Sequence, residues 1–231
     1  MADRPILFSG PMVRALLAST KTQTRRVIGP DFRKVDWTDP DTNCQTCKGN
    51  AYWGKTMSSW TRCPACVRPR TDRFAVGDRL YVREHWRTES HAYDDLAPSD
   101  MDADYPVIYD ADADWSLNKS VGRFRQGMHM PRWASRLTLI VRAVRVQRLQ
   151  DIGEEDAIAE GCAPLGSEFL IPGQYLYSDP SKPRTAISAT SAYESLWNQI
   201  NEARGYGWDA NPWVVAVAFT VEHRNIDQVP A

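Results

Sequence analysis

Two cysteine pairs are the clearest chemical signal in the chain. Cys44-Gln-Thr-Cys47 and Cys63-Pro-Ala-Cys66 are C-x2-C units separated by 15 residues, inside the spacing window of a four-cysteine zinc site. Each unit turns two thiolates toward one point, and two units complete a tetrahedron around Zn2+. Four thiolates leave no open coordination position, so the expected metal is structural, one per chain. It would fold a segment with little apolar content of its own. Gly49 and Pro64 suit the tight turns of such a knuckle. The total of 5 cysteines is odd, which argues against a disulfide framework in an intracellular chain. Cys162 stands apart as an expected small buried residue. A zinc deaminase is excluded: that motif needs Pro before the first cysteine and an H-x-E upstream. Here Pro64 follows Cys63, and the first histidine is His85. The P-loop, nucleophile-elbow and H-E-x-x-H patterns are also missing.

Arginine is the second signal. Of 28 basic residues only 6 are lysine, and arginine offers a planar fork for phosphates and a face for stacking on bases. The net charge of −1 conceals segregation. Residues 1–83 carry 15 basic groups against 7 aspartates, and 119–148 carry 8 against none. The intervening 84–118 hold 1 basic group against 10 acids, and 149–231 hold 4 against 12. Near-neutrality excludes a general nucleic-acid coat but leaves room for a local basic pocket. Apolar residues at 42% exclude a disordered chain. The longest apolar runs fall short of the roughly 18 residues of a membrane span, and Met1-Ala2-Asp3-Arg4 lacks a secretory layout. The expectation is a cytoplasmic protein without a membrane partner.

These groups need elements to position them. Pro5–Phe8 is a short strand, and Ser9-Gly10-Pro11 opens a helix to about Ala18, with Ser9 as cap and Pro11 in the first turn. Residues 29–73 form an inserted zinc ribbon, centred on 40–70. Val76-Gly77-Asp78 turns into the alternating strand Arg79–Glu84. Residues 90–104 are an acidic surface loop, and 106–109 a further strand. From Leu137 to Leu149 the apolar phase is odd at Leu137, Leu139 and Val141 and even at Val144 and Val146. One phase switch predicts a bulge. Asp151–Gly161 is a short helix with acids in its first turn, ended by Gly161. Residues 163–186 have loop composition. Ser191–Ala203 is an amphipathic helix with a core stripe of Tyr193, Leu196, Trp197 and Ile200. A last strand runs from Trp213 to Val221, its odd positions on one face. The predicted class is α+β: a small mixed β-barrel with short flanking helices, forming a single domain over 1–231.

Particular residues then carry a family resemblance. Ser19-Thr20-Lys21-Thr22-Gln23-Thr24-Arg25-Arg26 follows the first helix, Val76-Gly77-Asp78-Arg79-Leu80 follows the insertion, and Ala157-Ile158-Ala159-Glu160 lies in the short helix. Together these resemble an ASCH domain, a β-barrel related to the PUA fold. The resemblance is close to N4-acetylcytidine amidohydrolases, whose motif reads G-x-K-T-x-T-x-R. Ser19 stands where that motif has Gly. The resemblance implies a catalytic set of Lys21, Thr24 and Glu160, with Arg26 as motif arginine, hydrolysing the acyl amide of an N4-acylated cytosine or its nucleoside. It covers the first 28 residues and, in patches, 74–231.

The residues suit that chemistry. A Thr hydroxyl is a poor nucleophile until a base takes its proton. Lys21, three positions away in a turn, can do so if burial and Arg25 and Arg26 keep its amine neutral. Glu160 can donate a proton to the departing base or position water. The expected route is acyl transfer to Thr24 followed by hydrolysis; direct attack by water activated by Glu160 is the competing mechanism. The competing expectation is a solvated turn for Lys21 and Thr24 and a helix-surface carboxylate for Glu160. For recognition, the dense segment 127–136 supplies Trp133 for stacking and Arg132 for phosphate or carbonyl contact; packing against the barrel is the alternative. Arg83, Glu84 and Trp86 are similar candidates. The expected partner is a small modified nucleoside or nucleobase. The alternatives are a non-catalytic reader of RNA or modified bases, or a phage-type scaffold protein with the ribbon as docking module.

Overall fold

The computed structural model describes residues 2–28, 73–112, 121–162 and 188–230, and the backbone of five further short strands between them. In chain order the elements are β1 (Asp3–Leu7), α1 (Gly10–Leu17), β2 (Gln23–Val27), β3 (Tyr52–Trp53), β4 (Trp60–Thr61), β5 (Arg79–Arg83), β6 (Trp86–Thr88), β7 (Val107–Tyr109), β8 (Thr138–Arg148), α2 (Glu154–Ala159), β9 (Pro164–Leu165), β10 (Leu176–Asp179), β11 (Lys182–Ala186), α3 (Ala189–Asn201) and β12 (Trp213–Glu222). The class is α+β. The four cysteines of the expected ribbon lie outside the described residues; only the antiparallel pair β3–β4 falls within that span. No helix among the described residues is long and apolar enough to cross a membrane.

A five-stranded mixed sheet in the order β1-β5-β8-β12-β2 organises the chain. β1 and β5 run parallel, and the other neighbours are antiparallel. Where a closed barrel was expected, β1 and β2 remain as two edges. They nevertheless approach one another, because the Arg26 guanidinium on β2 donates to the Leu7 carbonyl on β1 at 2.7 Å. The sheet is therefore curled, and its seam is bridged by a side chain rather than by a backbone ladder.

The predicted bulge is present. Ala218 pairs with Ala143 while the next residue, Phe219, pairs with Val141, leaving Arg142 as the extra residue. That residue flips the apolar phase of β8, which keeps both halves of the strand packed. Inside the curl, Val215, Val217 and Phe219 meet Leu80, Val82, Leu139, Val141, Phe8 and the α1 residues Val13 and Leu16. β12 buries its other face too: Val214 packs with Leu149, Ala157, Tyr193, Leu196 and Trp197 under α2 and α3. One apolar face had been expected for β12. A central strand covered on both sides carries a near-continuous apolar run instead.

Two further expectations change. Residues 163–186 contribute β9, β10 and β11, which form a small antiparallel sheet in the order β11-β10-β9 rather than a loop. Composition averaged over that span hid strands of two to five residues. Ser9 occupies the N-cap position of α1 but makes no side-chain cap bond.

The end of α1 fixes the entry to β2. Ser19 N–H donates to Leu16 O at 3.0 Å and Thr20 N–H to Ala15 O at 2.9 Å, the bond pair of a Schellman ending. That ending puts Ser19 at φ 57°, in the left-handed region that favours glycine. The region costs an L-residue about 1–2 kcal/mol, and glycine's added chain freedom returns roughly 0.4–1 kcal/mol of that difference. Ser19→Gly should therefore stabilise the fold by about 0.5–1 kcal/mol in urea denaturation. An unchanged or lower midpoint would contradict this account of the turn.

Candidate active site

Two helix endings meet at the seam. α2 closes with Gly161 at φ 102°, Gly161 N–H bonding Ile158 O at 2.8 Å and Cys162 N–H bonding Ala157 O at 3.2 Å. This is again a Schellman ending, and it leaves the last carbonyls of α2 open. The segment leaving α1 takes them: Thr22 N–H donates to Ala159 O at 2.8 Å, and Lys21 Nζ donates to Glu160 O at 2.8 Å. The Lys21 amine thus arrives at the C-terminal end of a helix, where partial negative charge favours a cation.

Glu160 completes the arrangement. Its Oε2 lies 2.7 Å from Lys21 Nζ, and its Oε1 accepts from Arg25 Nη1 at 3.0 Å. The second Arg25 amine holds Asp156 at 2.7 Å, and Asp156 is also gripped by Arg145 at 2.8 Å. Lys21 is 1% exposed, Glu160 3%, Arg25 4% and Thr24 3%. These values rule out a solvated turn and a surface carboxylate. Burial holds the Lys21 amine below its ordinary value of 10.5; Glu160 opposes that shift, and the Arg26 charge adds to it. Burial and the Glu160 charge push the Tyr193 phenol well up.

Strand geometry sorts the motif. β2 pairs antiparallel with β12, Thr24 opposite Val217 and Arg26 opposite Val215. Alternation sends Arg25 toward α2 while Arg26 lies over the Phe8 ring at 5.1 Å. A cavity of about 390 Å³ opens between the two sheet edges, within the usual range of small-molecule sites. β1 contributes Pro5, Ile6 and Leu7, β2 contributes Thr24–Val27, and α3 contributes Tyr193, Leu196 and Trp197. Glu160 and Arg83 complete the parts relevant to chemistry. The Thr24 hydroxyl has no hydrogen-bond partner among the described residues. The site thus combines a hydroxyl, a buried amine–carboxylate pair and an aromatic wall.

The structure brings Thr24, Glu160, Arg26 and Arg83 to the cavity, with Lys21 held behind it on Glu160. It does not bring Glu84, Trp86, Arg132 or Trp133 to the cavity. Glu84 is buried in a bidentate pair with Arg136, at 2.9 Å for both contacts, and burial raises its carboxyl. Trp86 is fully buried in an apolar cluster with Met101, Met130 and Ala134, against which Trp133 also packs. Arg132 is bound to Asp3 and Asp227 at 2.7 and 2.6 Å. Each of these side chains has a local partner that binds it away from the seam. Three contributors were not anticipated: Arg25 as the second cation on Glu160, the α3 aromatics as a cavity wall, and the β1 edge. The α3 stripe was visible in the sequence, but a core stripe and a cavity wall share the same period.

No protein-family model matches the chain, and neither does any curated protein or solved structure.

Removing one member of a buried ion pair strands the other charge, at a cost of roughly 3–5 kcal/mol, whereas replacing both can be nearly neutral. Arg25 remains to compensate Glu160, so Lys21→Met should cost somewhat less, about 2–4 kcal/mol. The double variant Lys21→Met/Glu160→Leu should cost at least ~1 kcal/mol less than the sum of the single changes, by urea denaturation. Additive losses would contradict a coupled pair.

Proposed function

We propose that the chain is an amidohydrolase that removes the acyl group from N4-acylated cytosine or cytidine, with Lys21, Thr24 and Glu160 as its reactive set. The observation that carries this reading is the buried Lys21 Nζ–Glu160 Oε2 contact at 2.7 Å, with Glu160 and Thr24 lining one cavity. The two residues of that pair lie 139 positions apart. Their meeting, with Glu160 on the same cavity as Thr24, supports the catalytic set that the ASCH resemblance implies.

In this mechanism neutral Lys21 takes the Thr24 proton, and Thr24 Oγ1 attacks the acyl carbon. The C–N bond then breaks, and the Lys21 ammonium returns that proton to the departing exocyclic nitrogen, giving the free cytosine amine. Water enters, loses a proton to Lys21, and cleaves the Thr24 ester to release the carboxylic acid and restore the hydroxyl. Both Glu160 oxygens already accept from cations. In this arrangement Glu160 orients Lys21 and can share its proton, rather than donating directly to the base. Attack by water on the acyl carbon, with Lys21 as the same base, is the competing route. The aromatic wall of Tyr193 and Trp197 supplies faces for the pyrimidine.

The curled sheet with its bridged seam supports a PUA-like barrel of the ASCH type as the finer fold assignment. We further propose a cytoplasmic enzyme in which Cys44, Cys47, Cys63 and Cys66 hold one structural zinc ion.

The test is incubation with N4-acetylcytidine, following its ultraviolet conversion to cytidine. Turnover is expected. Thr24→Ala should abolish it, or lower it at least ~100-fold, in protein shown to be folded. The value of kcat/KM should climb with pH as Lys21 loses its proton and level off below the ordinary lysine value of 10.5. Folded protein without turnover, or full activity in Thr24→Ala, would overturn the reading.

A further inference from the structure

Among the described residues, the cavity carries a charge surplus that the clusters around Arg79, Arg136 and Arg145 do not. Arg79 and Arg132 meet Asp3 and Asp227. Arg136 meets Glu84 and Asp112, and Arg145 meets Asp156. Among the described residues, Arg25, Arg26, Arg83 and Arg204 line the cavity with Glu160 as its carboxylate, and the Glu160 oxygens are already taken by Lys21 and Arg25. Two of these arginines bond neutral groups: Arg26 reaches Leu7 O, and Arg83 reaches Met128 O and the Tyr81 hydroxyl. Arg204, just after α3, is exposed.

Depth sorts the lining. Glu160, Thr24 and Arg25 are buried, Arg26 and Arg83 are half-buried, and Arg73 and Arg204 are exposed. The surplus therefore lies toward the outside, with the reactive groups within. Burial holds the Arg26 guanidinium below its ordinary value; Glu160 and Tyr193 oppose that shift, and the charges of Arg73 and Arg204 add to it. Cations gathered at one rim repel one another, and a bound anion relieves that repulsion. Arginine's fork matches phosphate oxygens in particular.

We propose that the site takes its N4-acylated cytidine as a phosphate ester, the phosphate held at the rim by Arg26, Arg83 and Arg204 while the acyl group reaches Thr24. The acyl end of this proposal rests on the amidohydrolase reading; the phosphate grip rests on the charge surplus. A mononucleotide and an oligonucleotide offer the same chemistry.

The test compares kcat/KM for N4-acetylcytidine, its 5′-monophosphate and a short oligonucleotide containing one N4-acetylcytidine, at low and high salt. A phosphorylated substrate should lead the nucleoside by about tenfold or more, through a lower KM. High salt should narrow that ratio, and Arg204→Gln should shrink it. A lead for the monophosphate assigns a nucleotide as source, and a lead for the oligonucleotide assigns a polymer; either supports the grip. Equal values for all three would overturn it and leave the amidohydrolase reading standing. If none turns over, calorimetry with cytidine 5′-monophosphate and cytidine decides. A salt-sensitive preference for the monophosphate, weakened in Arg204→Gln, supports the grip without the hydrolase. Equal binding, or none, overturns the proposal.

Discussion

A buried amine facing a buried carboxylate is the constraint around which this structure is arranged. Lys21 and Glu160 sit at the junction of two helix endings, and each ending depends on a left-handed residue. If either turn were relaxed, the amine or the carboxylate would leave the seam. Arg25 then extends the pair into a chain through Asp156 to Arg145, tying β2 to α2 and β8. β2, α2 and β8 are thereby joined by charge.

Stability alone explains this arrangement poorly. Apolar side chains of similar volume hold a buried seam as well as an ion pair does, or better. The pair makes more sense as a means of keeping a lysine in a dry site with its proton loosely held. Burial weakens that proton and the Glu160 carboxylate restrains the shift, and Glu160 shares its cavity with the Thr24 hydroxyl. The open seam serves the same end. A backbone ladder between β1 and β2 would fill the space that the cavity occupies, whereas the single Arg26–Leu7 contact draws the edges together and leaves room between them.

Much of this was legible from local pattern. The phase switch between Val141 and Val144 predicted a bulge, which the strand pairing places at Arg142, and Gly161 marked the end of α2. Ser19 in a glycine position marked the strained turn. What was not legible depended on long-range pairing. Trp86, Trp133 and Arg132 have the residue types of a binding surface, and only tertiary contacts reveal that they are occupied by an apolar cluster and by aspartates. The reverse holds for Tyr193 and Trp197, which looked like ordinary core and line the cavity. Arg25 stood beside the motif arginine, but strand alternation, not residue type, decides which of the two reaches Glu160. The strands within 163–186 were too short to stand out from their composition.

The central claim is that the acyl group of an N4-acylated cytosine lies between Thr24 and the Lys21–Glu160 pair. The most direct test is a crystal structure of Thr24→Ala bound to N4-acetylcytidine. The account predicts the pyrimidine against the α3 aromatic wall, the acetyl carbon facing position 24, and Lys21 Nζ within about 3.2 Å of the acetyl amide or of a water beside it. An acetyl group pointing out of the cavity, or a nucleoside bound away from the β1–β2 seam, would contradict it.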